Sequence, residues 1–147
     1  MIKRSDRIKK VIALADSEER RECLALGKAQ RTLDDEINRL AELESYRRGY
    51  AERSQPGSSV SSVRWQDYQH FLNRLDSAVN AQKQLIVDGE QNIDVHRRRW
   101  LVKRQRLESL ERVVERYRKA ENIHGERLLQ KALDDLPQNG DLYDKDL

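Results

Sequence analysis

Aromatic side chains are scarce in this chain, 5% of 147 residues, whereas Asp, Glu, Lys and Arg reach 37%. That supply cannot fill a thick globular core, so an elongated helical form is expected. Proline and glycine are also few, two and six, which leaves little to interrupt a helix. Val, Ile and Thr are sparse beside Leu, Arg, Glu, Gln and Ala, the side chains that lose least rotamer freedom in a helix, and strands have almost no support. Cys23 is the single cysteine. It excludes an intramolecular disulfide, supplies no thiol pair for a metal, and fits a reducing cytoplasm. Long apolar runs are missing as well: no segment approaches the roughly 20 residues of a membrane span. The opening "MIKRSDRIKKVIALAD" begins like a signal sequence, but its apolar run, Val11 to Ala15, is shorter than an h-region and ends at Asp16. A soluble chain with no direct membrane insertion is expected.

Catalytic equipment is missing too. The three histidines, His70, His96 and His124, are too widely spaced for two imidazoles to share one helical face around a metal. The sequence has no phosphate-binding loop, no Gly-rich dinucleotide turn and no nucleophilic triad on a concave scaffold, and a pair of helices offers no pocket that excludes water. The composition therefore points to a binding protein, with no enzymatic activity, no cofactor and no metal. A net charge of +3 is close to balance, which favours interleaved ion pairs over a polyanion-binding surface. The run Arg97, Arg98, Arg99 is read as part of an interhelical ion pair with Glu19 and Glu22, and no nucleic acid is expected as a partner.

What the sequence does hold is a sustained heptad. Leu72, Val79, Ile86, Ile93, Trp100, Leu107 and Val114 recur every seventh residue, with Leu75, Gln82, Gly89, His96, Lys103, Leu110 and Tyr117 as companions. The first half has a weaker version, Ile12, Glu19, Leu26, Leu33, Leu40 beside Ile8, Ala15, Glu22, Ala29, Glu36, Leu43, and Ile37 suggests a local drift. Between them, "SQPGSSVSS" cannot continue a helix, because Pro56 blocks the α conformation of Gln55 and the Gly/Ser run favours turns. The fold class expected is all-α: two long helices in an antiparallel coiled-coil hairpin, the second longer. Residues 1–136 form the hairpin, with helix 5–53, loop 54–62 and helix 63–135, and residues 137–147 form a flexible acidic tail. With an apex near Ser58, residue i faces roughly residue 116 − i, good to a turn of helix. The stretch after about Val113 then projects past the first helix, carrying Val113, Val114, Tyr117, Ala120, Leu128, Leu129, Ala132 and Leu133 as an apolar stripe that nothing in the chain covers.

Five of the eight aromatics, Tyr46, Tyr50, Trp65, Tyr68 and Phe71, crowd against the loop. In the stretch "RWQDYQHFLNRLDSAVNAQKQLI", Arg64 to Ile86, an Arg-Trp pair is followed by Tyr68, Phe71, Leu75 and Ala78, and upstream come Leu43, Tyr46 and Tyr50. This pattern resembles the bacterial flagellar export protein family FliJ. The resemblance implies an antiparallel coiled coil similar to the central stalk of rotary ATPases, a part of flagellar type III protein export that is also described as a general chaperone. It would link the export ATPase hexamer to the cytoplasmic domain of the export gate protein and meet export chaperones. It would act in the cytoplasm, peripherally at the inner-membrane export apparatus. The family's gate-binding surface maps onto Leu43, Tyr46, Tyr50, Phe71, Leu75 and Ala78. Two positions of that surface depart: Arg39 stands where the family has Gln, and Gln82 where it has His. Trp65 is expected to cap the hairpin. The open end, with Tyr117, Leu128, Leu129 and Leu133, is the candidate for the ATPase ring. The alternatives are a stalk protein of a virulence type III secretion system and a self-associating structural coiled coil.

Overall fold

The computed structural model describes residues 3–53 and 62–137. Residues 54–61 of the expected loop and 138–147 of the expected tail lie outside the described residues. The fold is all-α, a hairpin of two helices with the second longer: α1, Arg4–Arg53, has 50 residues and α2, Ser62–Asp134, has 73. No strand occurs among the described residues. Asp6 in the first turn of α1 complements the helix dipole. At the other end of α2, the Asp135 N–H donates to the Lys131 carbonyl and the Leu136 N–H to that of Leu133, closing the last turn. Pro137 follows, which cannot extend the ladder and disfavours an α conformation at Leu136.

The chain divides into two compact units, Arg20–Val102 and the pairing of Met1–Glu19 with Lys103–Leu147. Within Arg20–Val102 the heptad lines form the seam. Ala29, Leu75, Val79, Gln82 and Ile93 are buried, and Leu26, Leu33, Glu36, Leu40, Leu72, Ile86, Gly89 and His96 are half-buried. Size alternates across it. Leu33 sits on the bare backbone of Gly89, where an added Cβ would come within 3.2 Å of Leu33 Cδ1. Continuing the same register puts Ala29 level with Ile93, small against large. Glu36 and Gln82 form a polar layer: Gln82 Nε2 donates to the Glu36 main-chain carbonyl at 2.8 Å and also to its carboxylate. Ile37 is 45% exposed while its neighbour Glu36 is half-buried, so the seam does not drift there and the polar residue keeps the heptad position.

Within Met1–Glu19 and Lys103–Leu147, Ala15, Leu107 and Val114 are buried, flanked by Ile8, Ile12, Leu110, Val113 and Tyr117. Glu18 accepts a hydrogen bond from Lys103 Nζ at 2.9 Å, with Arg106 at 3.9 Å. Glu18 is the residue before the expected Glu19, and Arg97 of the basic run pairs with Asp94 of its own helix at 3.4 Å.

The expected register is corrected by up to seven residues, about two helical turns. Arg47 meets Asp76, seven residues beyond the expected Gln69, and Glu36 meets Gln82, two beyond Asn80. The loop apex does not fix how the seam interlocks, and the Leu33–Gly89 contact sets the alignment independently of the turn. The same offset extends the overlap at the other end. Val114 is only 5% exposed, and Val113 and Tyr117 are half-buried, so these three residues of the apolar stripe are covered while Ala120 stays exposed. Beyond it, Ile123, Leu128, Leu129, Leu133 and Leu136 are exposed.

Candidate functional site: an aromatic cluster and an unpartnered helix end

At the end of the unit Arg20–Val102 nearest the reversal, the seam changes from aliphatic to aromatic. Tyr50 of α1 packs on Phe71 of α2 with ring centroids 4.5 Å apart and stacks on Tyr68 at 5.1 Å. Tyr46, one turn before Tyr50, meets the Phe71 edge at 6.2 Å in a T-shaped arrangement, and Trp65 leans on Tyr68 at 5.6 Å. Such offset and edge-on pairs each contribute roughly 0.5–1.5 kcal/mol beyond area burial. Arg47 donates through Nε to Asp76, an exposed clasp between the helices beside the rings.

The six residues carried over for gate binding come together here, but they are not equally accessible. Tyr46 is 56% exposed although its ring edge is packed. Tyr50, Phe71, Leu43 and Ala78 are half-buried, and Leu75 is a core residue at 8%. Trp65, expected only to cap the hairpin, keeps about half its surface in solvent, and Val63, which sequence reasoning did not single out, keeps 64%. A shallow notch beside Tyr46 is lined by Arg39, Glu42, Leu43, Tyr46 and Gln82. The Arg39 guanidinium lies 3.6 Å from the Glu36 carboxylate at its rim, whereas Gln82 turns its amide inward to Glu36. Of the two positions that depart from the family pattern, one therefore faces solvent and the other is spent inside the coil.

The second candidate surface is the end of α2 in the other unit. Tyr117 stands apart from Leu128, Leu129 and Leu133: it is half-buried in the seam, whereas the three leucines are exposed. No group of His, Cys, Asp and Glu among the described residues is arranged to hold a metal ion, and no described helix is long and apolar enough to cross a membrane.

These features define an antiparallel two-helix coiled coil with aromatic side chains concentrated at one end of its seam and a second helix that outlasts the first. The chain matches the family model described as "Flagellar FliJ protein" over residues 4–139. It is 28% identical over 127 residues to the flagellar FliJ protein of Escherichia coli (strain K12), an alignment covering 85% of this chain and 86% of that protein. To the flagellar FliJ protein of Salmonella typhi it is 26% identical over 115 residues, covering 77% and 78%. The chain belongs to the flagellar FliJ family and is thereby a component of flagellar protein export.

Proposed function

We propose that this chain is a non-catalytic stalk of the flagellar export apparatus, with the aromatic end of the coil binding the cytoplasmic domain of the export gate protein and the unpartnered end of α2 engaging the export ATPase hexamer. In this role it works in the cytoplasm at the inner-membrane export apparatus and meets export chaperones there. The observation that carries the reading is Tyr46. A large ring held by Phe71 yet 56% exposed offers contact area whose rotamer is already restricted, so little ordering cost remains when a partner covers it. The notch of Leu43 and Tyr46 beside it supports a partner that inserts an apolar side chain.

The cleanest test is Tyr46→Ala. Leu75 is a poor choice, because truncating a buried leucine costs about 2–5 kcal/mol and confuses folding with binding. In a pull-down and titration with the cytoplasmic gate domain, Tyr46→Ala should weaken binding about tenfold or more, while stimulation of the export ATPase stays near normal. Equal loss of both activities, with helicity retained by circular dichroism, would count against two separate binding ends.

A further inference from the structure

A seam that repeats every seven residues fits itself again after a slip of one heptad, about 10 Å of helix at 1.5 Å per residue. After such a slip Leu40 of α1 would meet Leu75 or Gly89, and Ile86 of α2 would meet Ala29 or Leu43. These apolar contacts therefore do not choose the alignment. We propose that Glu36–Gln82 and Leu33–Gly89 together form a register key that holds α1 and α2 of the unit Arg20–Val102 in the alignment that builds the aromatic cluster; its consequence for binding rests on the gate reading above.

The key has a polar part and a steric part. Gln82 is 7% exposed, and its amide reaches both the carbonyl and the carboxylate of Glu36. A slip of one heptad would put Glu36 level with Leu75 or Gly89 and Gln82 level with Ala29 or Leu43, none of which offers a polar side chain. Gln82, buried and left unpaired, disfavours the slipped state about tenfold, whereas Glu36 keeps Arg39 at 3.6 Å. A single polar position in an otherwise apolar seam acts in this way to specify register, at some cost in stability. The steric part is Gly89. Leu33 approaches so closely that a Cβ at position 89 would lie 3.2 Å from it, and the slipped positions would present Gln82 or His96, whose side chains fill that space. Glycine weakens a helix interior, so its presence inside α2 is explained by the room it leaves for Leu33.

The aromatic cluster depends on this alignment. Its ring separations are 4.5 and 5.1 Å for Tyr50 with Phe71 and Tyr68, about half of a heptad slip. A slip would remove Phe71 from Tyr46 and Tyr50 altogether. Glu36 and Gln82 are thus positioning residues: they act on the binding end through register, without needing to touch the partner.

Register can be read directly, apart from function. In a Cys23→Ser background, Arg47→Cys with Asp76→Cys reports the native alignment, and Arg47→Cys paired with Lys83→Cys or with Gln69→Cys reports the two slips; a short bismaleimide is the probe. With Glu36 and Gln82 in place only the first pair should crosslink within a molecule. In Glu36→Leu/Gln82→Leu with Gly89→Ala, which removes both parts of the key, the slipped pairs should give product where the parent gives none, with helicity kept. The exchange Glu36→Gln/Gln82→Glu, which preserves a donor and an acceptor, should restore the single product. Silent slipped pairs in the triple variant, or slipped products of equal yield in the exchange variant, would overturn the key. Binding to the gate domain is measured on the same proteins. A variant that slips yet binds undiminished supports the key and removes the gate reading.

Discussion

Ser5 in the first turn of α1 gives both of its donors to one side chain of α2: its N–H reaches Glu121 Oε1 at 3.3 Å and its hydroxyl reaches Oε2 at 2.8 Å. The first N–H groups of a helix have no partner within it, and here a carboxylate from the neighbouring helix supplies one. Ser5 is 4% exposed, so the contact is shielded and marks where the overlap of α1 and α2 ends. Glu121 interrupts the apolar heptad line, and this contact is its reason.

Removing that carboxylate should fray the start of α1. Glu121→Ala is expected to lower stability by about 1–2 kcal/mol, the range for a lost cap or a buried donor left unpaired. Ser5→Ala should cost less, since it removes the hydroxyl and leaves the N–H bond possible. Amide exchange of residues 5–8 should accelerate in Glu121→Ala. Unchanged exchange together with an unchanged melting curve would show that the contact does not hold the helix start.

The four helical glycines should separate into two classes. Gly27, Gly49 and Gly125 have nothing within 4 Å of an added Cβ, whereas Gly89 has Leu33 at 3.2 Å. Alanine at any of the first three should stabilise its helix by about 0.5–1 kcal/mol, because glycine loses more freedom on folding. At Gly89 the same substitution must push Leu33 away, and the melting temperature should fall. A rise for Gly89→Ala comparable with the other three would mean that Leu33 moves aside freely.

His96 offers a stabilising substitution. It sits on the companion line of the seam, half-buried, and its Nδ1 is buried with no hydrogen-bond partner among the described residues. A polar atom left so costs about 1–3 kcal/mol relative to an apolar group of similar size. His96→Leu should therefore raise the melting temperature, measured by circular dichroism near neutral pH. A fall would reveal that the imidazole makes a contact worth more than the burial of leucine.

The two heptad lines on α2 were legible because their period is written in the sequence, and each position from Leu72 to Tyr117 on them is buried or half-buried. On α1, Leu14, Cys23 and Leu24 lie off its two weaker lines and are exposed as the pattern requires. The register was not legible to better than about two turns. It depends on Leu33 entering the space above Gly89 and on Glu36 meeting Gln82, contacts between residues far apart in the chain that repeat patterns leave degenerate. Ile37 misled for a related reason: its hydrophobicity outweighs that of Glu36, but only Glu36 occupies the seam position. At the aromatic end the sequence grouped residues whose rings meet; Tyr46 stands off both α1 lines and is exposed, whereas Leu75 stands on the companion line of α2 and is buried.

The last prediction concerns the end of α2. Ser5 meets Glu121 at the start of α1, so Leu128, Leu129 and Leu133 lie beyond the last described contact between the helices, and Leu129 keeps 63% of its surface in solvent. Exposed leucines spaced along one helix contribute little to the stability of the free protein, whereas burial against a partner would supply about 25 cal/mol per Å², less the cost of ordering. Leu129→Ser with Leu133→Ser should thus leave the melting temperature nearly unchanged, within the roughly ±0.5 kcal/mol of surface substitutions. Stimulation of the hexameric export ATPase should fall, and binding to the gate domain should stay as it was. Gly125→Ala, which stiffens the same segment without touching the leucines, should leave that stimulation intact. A sharp drop in melting temperature for the double serine variant, with ATPase stimulation preserved, would sink the proposal that this stripe faces a partner, since it would mean the leucines are covered by their own chain.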